Sequence, residues 1–98
     1  MMASATVLAF SGCVTGSPPY EDYTVARTAV RAAQDVDSAR YAPGLWAKAD
    51  EAYRNGEQSY KDSNFESAQS FFKKAIRYSE EAENATRLKK FESGDSFP

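Results

Sequence analysis

The chain has 98 residues, a formal net charge of −2 at pH 7, no histidine and a single cysteine. A chain of this length supports one small domain, and its near-neutral charge gives no basic field that would attract nucleic acid. Without histidine it lacks the commonest general base and the commonest ligand for zinc or copper, and one cysteine cannot form an internal disulfide. We therefore expect a protein that is not an enzyme, holds no metal or cofactor and does not bind nucleic acid.

Residues 1–20 contain no charged side chain, and every Lys, Arg, Asp and Glu lies later in the chain. An apolar run over residues 3–10 is followed by Ser11, Gly12, Cys13 and the flexible linker "VTGSPP". The run is shorter than the roughly 20 residues that a membrane-spanning helix needs, but it fits the apolar part of a secretory signal that ends in small residues. The alternative is a cytosolic chain with an apolar N-terminal helix and a small buried cysteine.

The sequence "LAFSGC" resembles the end of a bacterial lipoprotein signal peptide. The resemblance implies cleavage after Gly12 and fatty acylation of Cys13, with Ser11 at the usual small position. Phe10 stands where leucine is usual, and residues 1–12 lack the Lys or Arg of a positive N-terminal region, so we expect the true start to lie upstream. The resemblance implies a place in the cell envelope. Because Val14 and not aspartate follows the cysteine, it favours the outer membrane, facing the periplasm.

The first predicted helix covers residues 20–40. Ala26, Ala29, Ala33 and Val36 fall along it at spacings of three and four, which is the repeat of one helix face. We therefore expect a first helix whose packing face is made almost wholly of alanine.

The second predicted helix begins near Pro43, which suits a first turn because its missing N–H group would have no partner there, and it ends near Lys61. An apolar seam runs along it through Trp46, Ala49, Tyr53, Gly56 and Tyr60. Glycine costs about 1 kcal/mol against alanine inside a helix. We therefore expect the backbone of another helix to approach Gly56 closely.

The third predicted helix follows Asp62, Ser63 and Asn64, any of which can cap its free N–H groups, and it runs for about 26 residues or about 39 Å. Its apolar pattern passes through Phe65, Ala68, Phe72 and Ala75 and continues through Ala82 and Ala85 to Leu88. Phe71 and Tyr78 begin a second stripe, which we expect the alanine face of the first helix to cover, so that Phe71→Ala would cost about 3–5 kcal/mol. The last turns could project alone or pack on the first helix. We expect residues 83–91 to be the overhanging end that offers a surface to partners.

No segment alternates with period two for long enough to be a strand. We therefore expect an all-α fold, an antiparallel helical hairpin or three-helix bundle with a long C-terminal helix. The predicted organisation is a signal peptide over residues 1–12, a lipidated cysteine and linker over 13–19, a helical domain over 20–91 and a disordered tail over 92–98.

The polar clusters of the chain offer few candidates for chemistry. Glu80, Glu81 and Glu83 could form a cation site, but a solvated helix face is the favoured interpretation, because no loop supplies carbonyl ligands. Asp35 and Asp37 point to different sides of a helix, so they are poor partners for shared proton chemistry. We expect the cations Lys73, Lys74 and Arg77 to be offset by Glu80 and Glu81 through pairs four residues apart. Ser59, Ser63, Ser67 and Ser70 have no histidine to activate them.

The segment of residues 49–82 resembles one tetratricopeptide repeat, whose period is 34 residues. Gly56 falls at the small position of the repeat's first helix, and Phe65, Ala68 and Phe72 fall at the offsets of its second helix. Glu80 stands where the repeat has its closing proline. The resemblance implies a helical hairpin, and a single copy implies no concave peptide-binding groove.

The stretch from Tyr23 to about Leu88 resembles the domain-of-unknown-function 4398 family. The resemblance rests on "ARYAP" at residues 39–43, on an alanine that follows it, and on an aromatic–alanine pattern after "DSNF". Members of that family are short, alanine-rich helical proteins of the bacterial envelope and are often lipoproteins. The resemblance implies the fold and the location, and it implies no activity.

We therefore expect a lipid-anchored envelope protein that acts as a non-catalytic scaffold or protein-interaction module. The alternative is a structural outer-membrane lipoprotein that associates with copies of itself. Expected partners are the membrane, through Cys13, and another envelope protein, and a homo-oligomer remains open. The aromatic side chains could instead line a ligand pocket, although aromatics at helical spacing more often form a core.

Overall fold

The computed structural model describes residues 17–94, and every regular element in that range is a helix. The elements in chain order are α1 (Tyr20–Asp35), α2 (Ser38–Tyr41), α3 (Pro43–Lys61) and α4 (Phe65–Glu92). The all-α prediction is therefore confirmed, with α4 as the long C-terminal helix. No helix among the described residues is both long and apolar enough to span a membrane.

The predicted first helix of residues 20–40 is confirmed as far as Asp35 and is wrong beyond it. The chain leaves the helical path after Asp35, and Asp37 has the left-handed conformation with φ 70° and ψ 42°. Aspartate tolerates this region better than most residues. The break redirects the chain into the short helix α2 and turns Ser38 into the protein interior.

The three long helices end in the same way, with a left-handed residue one position beyond the C-cap. These residues are Asp37, Ser63 and Gly94. At the end of α3 the N–H groups of Ser63 and Asn64 donate to the carbonyl oxygens of Tyr60 and Ser59 at 3.1 and 2.8 Å, which is the hydrogen-bond pattern of a Schellman motif. This motif sets the tight connection from α3 to α4. Of the three residues expected to cap α4, Asn64 is at the N-cap position, but its side chain makes no capping hydrogen bond.

Helices α3 and α4 form an antiparallel hairpin. Tyr60 meets Phe65 next to the turn, and Gly56 faces Phe72 farther along. Helix α1 packs mainly on α4 and runs in the same direction, because Tyr23 meets Phe72 and Ser38 meets Thr86. The result is a three-helix bundle whose first and last long helices are parallel.

Within residues 17–94 the core consists mostly of alanine, and Phe72 is its one large side chain with no exposed surface. The ring of Tyr23 stacks on Phe72 with ring centres 4.5 Å apart, and Tyr53 and Tyr60 complete an aromatic cluster around it. Aromatic rings therefore fill the end of the bundle that contains the start of α1.

The opposite end of the bundle is packed by small residues. Fully buried side chains there include Ala33, Ser38, Ala49, Ser79 and Thr86. The hydroxyl of Thr86 donates a 3.0 Å hydrogen bond to the hydroxyl oxygen of Ser38, so α2 is joined to α4 by a buried polar contact. Small side chains allow helix backbones to lie close together.

Two packing predictions need correction. The missing side chain at Gly56 makes room for the ring of Phe72 and not for a neighbouring backbone. A Cβ atom at Gly56 would lie 2.6 Å from ring carbons of Phe72. The stripe of Phe71 and Tyr78 is not covered by α1, because both side chains are half-buried and line a groove between α3 and α4. Tyr23 of α1 covers Phe72 instead.

Candidate functional site

A shallow groove of about 240 Å³ runs between α3 and α4. Its walls come from positions three or four residues apart on each helix, which share one face. The lining residues are Lys48, Glu51, Ala52 and Asn55 from α3, and Phe71, Lys74 and Tyr78 from α4. We call this the α3–α4 groove.

Basic side chains lie over the aromatic rings of the groove. The ammonium group of Lys48 lies 5.6 Å from the ring centre of Tyr78, and that of Lys74 lies 5.8 Å from the ring centre of Phe71. The guanidinium carbon of Arg77 lies 4.8 Å from the ring centre of Tyr78. Each distance is within the roughly 6 Å at which a cation is attracted to a ring face. The rings therefore hold three positive charges at or beside the groove.

The predicted pairing of Lys73, Lys74 and Arg77 with Glu80 and Glu81 is wrong. Within residues 17–94 the ion pairs lie elsewhere and join Arg54 to Asp50 and Arg87 to Glu83. No carboxylate of the described chain pairs with Lys74 or Arg77, and Glu51 is the single carboxylate that lines the groove. The groove therefore carries an excess of positive charge that the described chain does not neutralise.

A second polar cluster lies between α1 and α3. The hydroxyl of Tyr23 donates a 2.8 Å hydrogen bond to Oε2 of Glu57. Burial, together with the neighbouring Glu57 carboxylate, raises the pKa of Tyr23 to about 12. The phenol therefore stays protonated at neutral pH and acts as a hydrogen-bond donor that ties the two helices together.

The guanidinium of Arg27 borders the same cluster. It lies 5.2 Å from the ring centre of Tyr23, and hydrogen bonding to Tyr53 raises the pKa of Arg27 above its ordinary value. With Val30, Arg31, Gln34 and Tyr53, Arg27 lines a hollow of about 160 Å³. Arg27 is therefore a permanent positive charge at the edge of this cluster.

The predicted lipidation site, Cys13, lies outside the described residues. The glutamates of the candidate cation site are on α4, where Glu83 accepts hydrogen bonds from Arg87. Among residues 17–94, no group of three or more Asp, Glu or Cys side chains is placed to hold a metal ion.

The remaining candidates are spread over the bundle. Asp35 is the last residue of α1 and Asp37 is the left-handed residue beyond it. The four serines occupy α3, α4 and the turn that joins them: Ser59, Ser63, Ser67 and Ser70. The structure therefore does not bring these residues into one site.

Sequence reasoning missed the Tyr23–Glu57 and Ser38–Thr86 contacts. Each joins residues far apart in the chain, at separations of 34 and 48 positions. Helical periodicity marks which face a residue occupies but not which polar groups meet across helices. The α3–α4 groove was missed for a related reason, because the cations were expected to pair within α4.

Comparison with known proteins adds one firm result. Residues 21–93 match the family described as a domain of unknown function (DUF4398), and the chain belongs to that family. No curated protein and no solved structure matches the chain. The matched residues extend from the second residue of α1 to the residue after α4, and they include the α3–α4 groove.

Proposed function

We propose that this protein is a lipid-anchored, non-catalytic interaction module of the bacterial cell envelope. It is held by acyl chains on Cys13 in the outer membrane and faces the periplasm. The observation that carries the proposal is the order of an apolar run, Ser11-Gly12, Cys13 and a Pro-rich linker immediately before a helical domain. Several acyl chains, at about 0.8 kcal/mol per buried methylene, make a stable anchor.

The position of the linker is compatible with such an anchor. Ser17, Pro18 and Pro19 lie beside Phe65 and Glu66 at the start of α4 and line the same hollow. An extended chain covers at most about 3.6 Å per residue, so Cys13 can lie no more than about 25 Å from the start of α1. On this proposal the aromatic end of the bundle faces the membrane, and the C-terminal end of α4 points away from it.

The interaction role is supported by the groove between α3 and α4. Its side chains include aromatic rings and cations without carboxylate partners in the described chain. No histidine is present to act as a general base. Recognition of another molecule is the role that this combination of side chains fits best.

The anchor is tested by fractionating bacterial cells that express the protein. We expect the protein in the membrane fraction and the Cys13→Ser variant in the soluble fraction. Ser17→Ala, a similar small change in the linker, is the control and should remain with the membrane. A Cys13→Ser variant that stays membrane-bound would contradict the anchor.

One observation favours the alternative of a self-associating structural lipoprotein. Leu88 and Phe91, three residues apart on α4, are 58% and 75% exposed. Exposed apolar residues on one helix face can mark an association surface. Sedimentation of the full chain decides between the two roles. A monomer supports the interaction module, and a dimer that Leu88→Ala weakens without changing the melting temperature supports the structural role.

A further inference from the structure

We propose that the α3–α4 groove binds an acidic segment of a partner protein, with carboxylates of that segment paired to Lys48 and Lys74. This inference rests on the proposed interaction role and names the chemistry of its partner. It does not depend on the lipid anchor.

Charge complementarity is the first argument. Lys48 and Lys74 stand on opposite walls of the groove and have no ion pair within residues 17–94. Arg77 adds a third positive charge beside Tyr78. Glu51 is the one carboxylate in the lining, so the positive charges outnumber the negative. An anionic ligand gains the most here, because a carboxylate paired with an ammonium group is a charge-assisted contact.

The arrangement of the aromatic rings favours a peptide over a sugar. Sugars and bases bind aromatic side chains by stacking on an open ring face. In this groove, the ammonium of Lys48 lies over the ring of Tyr78 and that of Lys74 over the ring of Phe71. The ligand therefore meets the cations first, and the half-buried rings and Ala52 form an apolar floor for a small side chain.

The shape of the groove favours a peptide over a lipid surface. Along α4 it extends from Phe71 to Tyr78, which is about 10 Å at about 1.5 Å per residue. That length accommodates about three residues of extended chain. A shallow groove between two helices, with Glu51 in its wall, suits a short segment better than a flat array of phosphates.

The test is binding of a fluorescently labelled peptide, in which one leucine is flanked on each side by glutamates, to the purified full chain. The comparison peptide has glutamine in place of every glutamate. We expect the acidic peptide to bind, the glutamine peptide to bind at least about tenfold more weakly, and the affinity of the acidic peptide to fall as salt is added.

Variants locate the binding site. Lys48→Glu and Lys74→Glu should each weaken binding by about tenfold, whereas Glu51→Gln should strengthen it roughly two- to fivefold. Lys61→Glu is the control, since it makes the same charge change on α3 outside the groove lining. All four positions are on helix surfaces, and an unchanged circular dichroism melting curve verifies that each variant folds.

Three results would overturn the inference. The first is equal binding of the acidic and glutamine peptides. The second is binding that Lys61→Glu weakens as much as Lys48→Glu does. The third is displacement of the peptide by soluble peptidoglycan fragments or by phosphatidylglycerol vesicles, when that competitor itself binds through Lys48 and Lys74. This result would assign the groove to a glycan or to a lipid. Fractionation of Cys13→Ser is unaffected by any of these outcomes, so a failed groove and a failed anchor are told apart.

Discussion

At the scale of single residues, Phe72 and the groups that contact it organise the core. Its ring lies against the backbone at Gly56 and stacks on the ring of Tyr23. The other buried apolar side chains of residues 17–94 are alanines. Most of the large-side-chain burial in this small core therefore depends on one ring and on the space that one glycine leaves for it.

Gly56→Ala tests that space. A methyl group there would lie 2.6 Å from the ring of Phe72, and overpacking of a core costs about 1–3 kcal/mol. Because Phe72 is fully buried and its ring has no free space to move into, we expect this cost to exceed the gain of about 1 kcal/mol that alanine brings to a helix interior. The free energy of unfolding in urea should therefore fall. Gly44→Ala, where the added Cβ meets nothing within 4 Å, is the control and should not destabilise. A Gly56→Ala protein as stable as Gly44→Ala would refute the close packing of Phe72.

The two neighbouring phenylalanines should respond differently to truncation. Phe72 is fully buried, so Phe72→Ala should lower the free energy of unfolding by about 3–5 kcal/mol. Phe71 is half-buried at the groove, so Phe71→Ala should cost less than about 1.5 kcal/mol. Thermal melts of the two variants check this order. The reverse order would mean that α4 is rotated relative to the packing described here.

The hydroxyl of Tyr23 gives the protein a predictable response to alkali. Its pKa is raised from 10.0 to about 12, first by burial and then by Glu57, so the folded state holds this proton more tightly than the unfolded state does. The associated stability is fully present below pH 10 and is lost as the pH rises through 12. We expect Tyr23→Phe to reduce the loss of stability in this range. Tyr20→Phe, at a residue 72% exposed, should leave it unchanged, and urea unfolding across this pH range distinguishes them.

At the scale of elements, the short helix α2 joins the end of α1 to the C-terminal part of α4. The break after α1 turns Ser38 inward to the hydroxyl of Thr86, and the side chain of Lys89 donates to the carbonyl oxygen of Tyr41. The C-terminal part of α4 is therefore covered on one side by α2. The prediction that residues 83–91 overhang the bundle freely needs correction for that side. Leu88 and Phe91 lie on its exposed side.

A double-mutant cycle tests the Ser38–Thr86 contact. Ser38→Ala should cost about 1–3 kcal/mol, because it leaves the buried hydroxyl of Thr86 without its acceptor. Adding Thr86→Val removes the unpaired donor, so the double variant should regain part of that loss in chemical denaturation. Strictly additive losses would show that the two hydroxyls do not interact.

The helices themselves could largely be predicted from the sequence. Pro43 at the start of α3, the turn at Ser63 and the alanine spacing on α1 are local signals, and each lies where the prediction put it. The break at Asp37 could not be predicted in this way. Nothing in "DVDSA" terminates a helix strongly, and the buried partner of Ser38 is 48 positions away in the chain.

At the scale of the whole molecule, the candidate site depends on how the helices are rotated against one another. Phe71 and Phe72 point about 100° apart on α4, and the sequence alone does not decide which of them α1 covers. Tyr23 on α1 decides in favour of Phe72, which leaves Phe71 and Tyr78 to the groove. The groove could therefore be recognised only in the assembled bundle. The likeness of residues 49–82 to a tetratricopeptide repeat stays a prediction.

The central claim is that this bundle is tethered to a membrane through its one cysteine. The most direct test is the intact mass of the native protein, extracted from the membrane fraction of the cells that express it. We expect a chain that begins at Cys13 and carries fatty acyl chains on that residue. An uncleaved chain with an unmodified thiol would contradict it.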